Sequence, residues 1–438
     1  MIANAEAAAS RLAGRLEATA ELCRSCADQL TPLRHTPCES GVESELIMRI
    51  LPDSPNIDYL RQEAKSLLGA LRETDPSATL AVAQRSMAEQ YGFRTWPDLK
   101  AEVDRRRARP HPSDPDLAER LAAAFDLGTV TADPVPVGYA FMGRRWHLVT
   151  DAGDWLVGPV FDWIGSEQAA VGTALRERAR AVGVVAPEPV RAADGALVKR
   201  VGDENWRVDR WLDVGPEVLQ PVRSAVAAEV GRTLARIHSV GTPTERTLVP
   251  GQQGHLTQRC SDADWDRLIE RAGSVGVPWA DDLVALRQDV LRPLAAVPPA
   301  EPTEPFRICI QDLNIGAVRM GPAGEIVCMH WDFAGPNQRA WELGYVLRQW
   351  AGGRRSNPGT ARALADGYRE VAGSLPTLDR SSFWIAITAS LNWIHDQLSR
   401  ALSSDGERQD FSEGALLSEL VDPFSLATID RILDEVNR

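Results

Sequence analysis

The order in which hydrophobic patterns succeed one another constrains this chain most. Beyond Asp116, short apolar runs separated by Gly and Asp turns give way to a long stretch with helical periodicity. Strands grouped first and helices afterwards are not the alternating order of a parallel sheet. They predict an α+β protein, a strand-rich unit over 117–212 followed by a helical one over 213–438. Residues 146–149, 155–157, 197–198 and 206–211 read as strands, and 167–182 as a helix set among them. The joint between the two units is expected near Leu212-Asp213.

A chain of 438 residues exceeds one ordinary core, so further units are expected before Asp116. Residues 3–30 carry alanine and leucine among charges at helical spacing and stop at Thr31-Pro32, predicting a helix with its loop over 1–45. A small helical domain is expected over 46–107. Asn56 can cap a helix whose Ile57, Leu60, Ala64, Leu67, Leu68 and Leu71 share one face, with Asp75-Pro76 as its stop. A second helix follows over 78–91, and Thr95-Trp96-Pro97 opens a third carrying Leu99 and Val103. The stretch 51–107, with Pro55-Asn56, Leu60, Ala64-Lys65, Leu67-Leu68, Gly92-Phe93, Trp96-Pro97, Leu99 and Lys100, resembles a small helical module that precedes unrelated domains in bacterial proteins. That resemblance implies a fold and no activity, and leaves room for a protein partner. The basic, proline-containing run that follows reads as a solvated linker, placed over 108–116.

Charge narrows the function classes. Lys and Arg number 48 against 61 Asp and Glu, a formal charge of −13 that opposes nucleic acid and anionic lipid over most of the surface. No run approaches the roughly 18 apolar residues of a membrane span, and the start lacks the basic and apolar blocks of a secretory signal, so a cytoplasmic location is expected. Cys23, Cys26, His35 and Cys38 form a C-x2-C-x8-H-x2-C arrangement. It can be read as zinc ligands, or as small side chains on one face of the first helix. Cys309 and Cys328 sit in apolar runs and are expected in the core.

The most specific text lies further on: Ile308-Cys309-Ile310-Gln311-Asp312-Leu313-Asn314-Ile315-Gly316-Ala317, then Met329-His330-Trp331-Asp332-Phe333-Ala334-Gly335-Pro336, then Trp341-Glu342-Leu343. Its spacing resembles the aminoglycoside phosphotransferase and choline kinase-like family, which reads roughly H-x-D-L-x-x-x-N, I-D-[WF]-E-x-A-G-P and W-[DE]-L. Ala235-Arg236-Ile237-His238 and Leu391-Asn392-Trp393-Ile394 resemble two of its helices, so the likeness covers about 127–401. The resemblance implies a two-lobed kinase-like fold and ATP-dependent phosphoryl transfer to a small molecule. In that chemistry an Asp orients the accepting hydroxyl, an Asn and an Asp hold magnesium, and a small-lobe Lys grips phosphate.

Compared position by position, this sequence keeps only part of that set. Asp312 stands at the catalytic Asp. Ala317 stands at the magnesium-binding Asn, His330 at the magnesium-binding Asp, Ile310 at the bracing His, and about Gly158 at the Lys. An alanine methyl offers magnesium nothing, and imidazole is a poor ligand for a hard cation. Asn314 and Asp332 offer oxygens that a rearranged loop could use. Losing one well-placed electrostatic contact costs roughly 3–4 kcal/mol of transition-state stabilisation, so four replacements point away from ordinary magnesium–ATP chemistry.

The resemblance brings Asp312, Asn314, His330 and Asp332 to the cleft between the lobes. A carboxylate beside a histidine is an acid/base pair. Three readings follow. The first is a metal-free acid/base enzyme, for elimination, cyclisation or hydrolysis of a small natural-product-like or peptide substrate, with no cofactor expected. The second is a non-catalytic pseudokinase that binds a ligand or partner. The third is a small-molecule phosphotransferase with rearranged metal ligands, the one reading that retains ATP and magnesium. Trp265, Trp279, Trp384 and Trp393 fall in the helical part that lines the family's acceptor pocket; most tryptophans are expected to pack in the core, with one or two lining an apolar ligand pocket. Asp262, Asp264, Asp266, Glu270, Asp281 and Asp282 read either as a site for a cationic substrate or as a solvated helix face.

Overall fold

The computed structural model describes residues 57–91, 93, 95–107, 116–137, 145–160, 164–215, 218, 220–245, 258–277, 279–299, 301–353, 357, 359–402 and 424–438. The helix expected over 3–30, the Cys23, Cys26, His35 and Cys38 group, Asn56 and most of the 108–116 linker lie outside these residues.

Three helices come first: α1 (Ile57–Thr74), α2 (Leu80–Gln90) and α3 (Trp96–Arg107). The predicted apolar stripe of α1 is the reason they associate, because Leu60, Ala64 and Leu67 bury against Ala83 and Met87 of α2 and Leu99 and Val103 of α3. This core is closed on itself.

A fourth helix, α4 (Leu117–Phe125), ends on Asp126 in the left-handed conformation (φ 57°) and leads into the sheet. The strands are β1 (Val135–Val137), β2 (Arg145–Thr150) and β3 (Gly153–Val160). Helix α5 (Ser166–Ala181) follows, then β4 (Pro189–Val190), β5 (Lys199–Val201) and β6 (Glu204–Arg210). They form one antiparallel sheet in the order β1-β2-β3-β6-β4, with β5 also on β6. The strand expected at 197–198 begins two residues late. Leu197 and Val198 pack against Val160, Ile164 and Ala169 instead of joining the ladder.

Period-two alternation gives the sheet two different faces. Trp155 and Val157 of β3 and Trp206 and Val208 of β6 bury against Ala118, Leu121 and Phe125 of α4. Leu156 points the other way, to an apolar cluster with Val137, Val327 and Met329 and with Trp211, Leu212 and Val214 of the segment leaving β6. That cluster spans the expected joint between the lobes.

The remainder is mostly helical: α6 (Ser224–Val240), α7 (Asp262–Val275), and α8 (Ala280–Leu286), which runs through a π turn (Arg287–Leu291) into α9 (Arg292–Ala295). After an interval carrying four short strands come α10 (Arg339–Ala351), α11 (Thr360–Ala372), α12 (Trp384–Ala401) and α13 (Leu426–Val436). The strands are β7 (Arg307–Cys309), β8 (Val318–Met320), β9 (Ile326–Cys328) and β10 (Gly335–Asn337). β7 pairs with β10, and β8 with β9, both antiparallel. Helices α6 and α11 touch backbone to backbone: a Cβ on Gly231 would lie 1.9 Å from the Leu364 carbonyl oxygen, and one on Gly367 2.0 Å from that of Ala228.

The architecture is therefore the predicted α+β, two-lobed kinase-like fold preceded by helices. Trp265 and Trp279 take the core role expected of most tryptophans. Both are buried in the core of the helical lobe, Trp265 with its ring 5.3 Å from that of His395 on α12, while Trp384 and Trp393 stay half-buried. Of the carboxylates on α7, Asp262 pairs with Arg287, and Asp264 closes a capping box with Ser261. No helix among the described residues is long and apolar enough to cross a membrane.

Candidate active site

Asp312 lies three residues past the end of β7, and the backbone before it is unusual. Gln311 is a non-glycine residue in the left-handed region (φ 61°), a conformation that costs roughly 1–3 kcal/mol unless its surroundings hold it. Here they do. The Gln311 N–H donates to one carboxylate oxygen of Glu342 on α10, and its side-chain Nε2 donates to the Pro336 carbonyl at 2.9 Å. The other Glu342 oxygen lies 2.6 Å from His238 Nε2 on α6, and His238 Nδ1 lies 2.9 Å from the Tyr368 hydroxyl on α11. Trp350 Nε1 fixes the next carbonyl, Leu313, at 2.8 Å. Ile310, at the position where the resemblance implies a bracing histidine, is buried, and three helices brace the loop.

Asp312 is buried, and burial raises its carboxyl to a pKa of about 7, against the opposing hydrogen bond from Asn314 and with help from the charge of Asp332. Asn314 donates through Nδ2 to Asp312 Oδ1. His330, also buried, has Nδ1 3.4 Å from Asp312 Oδ2. Burial holds its pKa well below the usual imidazole value, and the charges of Arg145, Arg319 and Arg207 push the same way. The imidazole is therefore neutral at pH 7. Asp312 Oδ2, His330 Nδ1 and Asp332 Oδ2 have no hydrogen-bond partner among the described residues. Buried polar atoms left open in this way favour a ligand or ordered water.

The sheet supplies what sequence reading missed. Gly158 of β3 sits opposite Arg207 of β6, and one step beyond the Trp146–Val157 pair lies Arg145 of β2. All three share the face of Leu156, the face turned to the cleft. A Cβ at Gly158 would fall 2.1 Å from Arg145 Nη1, and the same nitrogen donates to the Pro159 carbonyl at 2.5 Å. Where the family implies a lysine, an arginine from the neighbouring strand crosses over a bare glycine.

Arg207 belongs to a chain of alternating charges. Arg176 of α5 donates to Asp209 Oδ1 at 2.7 Å, Asp209 Oδ2 lies 3.8 Å from Arg207 Nε, and Arg207 Nη1 donates to Asp332 Oδ1. Burial opposes charge on Arg207, but the carboxylates of Asp332 and Asp209 outweigh it and raise its pKa; burial lowers that of Arg176. Helix α5 is held to the same segment through Gln168, whose Nε2 donates to the Asp332 and Ala334 carbonyls at 2.7 and 2.8 Å, and through Gly172, where a Cβ would lie 2.3 Å from the Trp331 carbonyl oxygen. The alternation of charged and apolar residues in Glu204–Arg210 was the available signal for Arg207 and Asp209, because it predicts one charged face that the fold then covers.

Asp312, Asn314 and His330 thus meet, whereas Asp332 is turned to Arg207. The residues present do not fit the magnesium that the resemblance implies. Ala317 has no donor atom, Asn314 Oδ1 accepts the Ala317 N–H at 2.9 Å, and Asp332 Oδ1 is taken by a guanidinium. Among the described residues only His238, Cys309 and Glu342 bring three metal-ligating atoms close together. That group is the brace behind the loop, with both imidazole nitrogens already engaged.

Comparison with known proteins agrees with this architecture. The structure resembles a spectinomycin phosphotransferase in complex with ADP and spectinomycin, with 12% identity, coverage of 72% of this chain and 99% of that one, and a TM-score of 0.51. An aminoglycoside phosphotransferase from Alicyclobacillus acidocaldarius gives 15% identity, coverage of 75% and 98%, and a TM-score of 0.45. A microcompartment-associated aminopropanol kinase gives 13%, coverage of 73% and 98%, and 0.47. No curated protein matches the sequence. Residues 144–381, more than half of the sequence, match the phosphotransferase enzyme family, and the chain belongs to that family.

Proposed function

We propose that the chain is a small-molecule phosphotransferase in which Asp312 takes the proton of the accepting hydroxyl. The observation that carries this reading is the Asp312 carboxyl itself, held at the end of β7 by a braced loop, with Oδ2 open and a pKa near 7. A general base works best with a pKa near the operating pH. As the acceptor oxygen bonds to the γ-phosphorus of ATP, the bond to the ADP oxygen breaks and the hydroxyl proton passes to Asp312. Membership of the family supports ATP as donor. The half-buried Trp211, Leu212 and Val214 beside Leu156 and Met329 form an apolar surface that a flat base could pack against.

A second reading rests on His330. A neutral imidazole 3.4 Å from a carboxyl that titrates near 7 is a proton-transfer pair without a metal, suited to elimination, cyclisation or hydrolysis of a small natural-product-like or peptide substrate.

One assay separates them. The purified chain is incubated with ATP and magnesium and a panel of hydroxylated amines and antibiotics, and ADP and phosphorylated product are followed by mass spectrometry. The phosphotransferase reading expects Asp312-dependent ADP and a phosphorylated acceptor. Conversion of an acceptor at equal rate without nucleotide would instead establish the metal-free reading.

A further inference from the structure

We propose that this cleft holds a phosphate-bearing ligand without a divalent cation, Arg145 facing the phosphates and Arg207 neutralising Asp332 where a metal ion would. The inference rests on the reading that a nucleotide enters the cleft, and concerns how its charge is met.

Three observations carry it. The first is the row Arg145–Gly158–Arg207 across β2, β3 and β6, which sets two guanidiniums on the cleft face on either side of a residue with no side chain. Arginine presents a planar fork of donors that matches phosphate, and its charge is permanent. The second is the buried chain Arg176–Asp209–Arg207–Asp332. It pairs one oxygen of the carboxylate that would otherwise need a cation and balances its charge, and Gln168 and Gly172 hold it to the loop. Breaking one member of such a chain leaves an uncompensated buried charge, which is strongly unfavourable. A cation can therefore reach Oδ1 of Asp332 only by displacing Arg207, and one at the open Oδ2 would meet the guanidinium's positive charge across the same carboxylate. The third is the donor set: Ala317 and His330 offer no oxygen and Asn314 Oδ1 is engaged, so a magnesium ion would find only the single open oxygens of Asp312 and Asp332, the latter already paired to a guanidinium.

The test is calorimetric titration of ATP into the full-length chain, once in EDTA and once in magnesium, with pyrophosphate and adenosine as separate probes. The expected result is ATP binding in EDTA with a Kd within about threefold of that in magnesium, pyrophosphate competing. Arg145→Met is expected to weaken ATP at least tenfold in EDTA while leaving adenosine unchanged. If that variant does not fold, Gly158→Ala, whose methyl must push the Arg145 guanidinium aside, is expected to do the same. ATP binding that appears only with magnesium overturns the inference and leaves the phosphotransferase reading standing. Binding in EDTA with no ADP formed from any acceptor overturns that reading and leaves the inference standing. No ATP or pyrophosphate binding in either buffer overturns both.

Discussion

Asp312 shows what a motif can and cannot tell. Its position was legible, because the spacing from Ile308 to Ala317 fixes one carboxylate after a strand. Its protonation was not legible, because that depends on burial and on Asp332. The folded-state pKa of about 7 lies well above the ordinary carboxylate value, so the native state keeps a proton that the unfolded chain releases. The resulting stability is complete below the lower value and is lost as pH rises through the upper one. Asp312→Asn removes this loss. The variant should be the more stable at pH 8, its advantage over the natural chain growing by about 2–3 kcal/mol between pH 5 and pH 8. Its phosphoryl transfer should fall by about two to four decades. Thermal melts at the two pH values check the first outcome, and an advantage independent of pH would refute the assigned pKa. Arg145 and Arg207 were not legible as a pair, since 61 intervening residues separate them and only strand register brings both beside Gly158.

At the scale of elements, periodicity located β2, β3, β6 and α5 to within three residues at each end, because apolar residues recur in each at strand or helical spacing. Close approaches between elements leave a fainter trace. Gly231 in α6 and Gly367 in α11 read in the sequence as helix weakeners, yet each is where one backbone meets the other. On an exposed helix Gly→Ala would stabilise by up to about 1 kcal/mol. Here the methyl of Gly231→Ala would lie 1.9 Å from a carbonyl oxygen, and the helices would have to separate. The expected outcome is a loss of about 2–4 kcal/mol in urea unfolding. Because α6 carries His238 and α11 carries Tyr368, the brace on Gln311 should loosen as well, seen as kcat falling further than KM rises. A neutral or stabilising Gly231→Ala would show that the contact is not tight.

At the scale of the molecule, the two-lobed layout was legible from pattern order alone, while the meeting of the first helices with the helical lobe was not, because it is polar and small. Glu73, near the end of α1, accepts from the backbone N–H and hydroxyl of Ser224, both at 3.0 Å, at the first turn of α6. Arg223 Nε lies 3.7 Å from the same carboxylate. Asn357 Nδ2 ties Glu73 and the Ala70 carbonyl, both at 3.3 Å, to the Val222 carbonyl at 2.9 Å. A carboxylate at a helix N-terminus meets orphan N–H groups and the positive end of the dipole, a contribution of about 0.5–2 kcal/mol. The buried residues of the α1–α3 core all lie within 57–103, so the contact is expected to fix where the three helices sit rather than whether they fold. Glu73→Ala should therefore leave the main melting transition of the helical lobe within about 1 kcal/mol of its original stability. It should also speed proteolytic cutting between α3 and α4 severalfold, as the three helices leave the lobe more often. Equal cutting rates for Glu73→Ala and the natural chain would mean that the helices are held by something other than this cap.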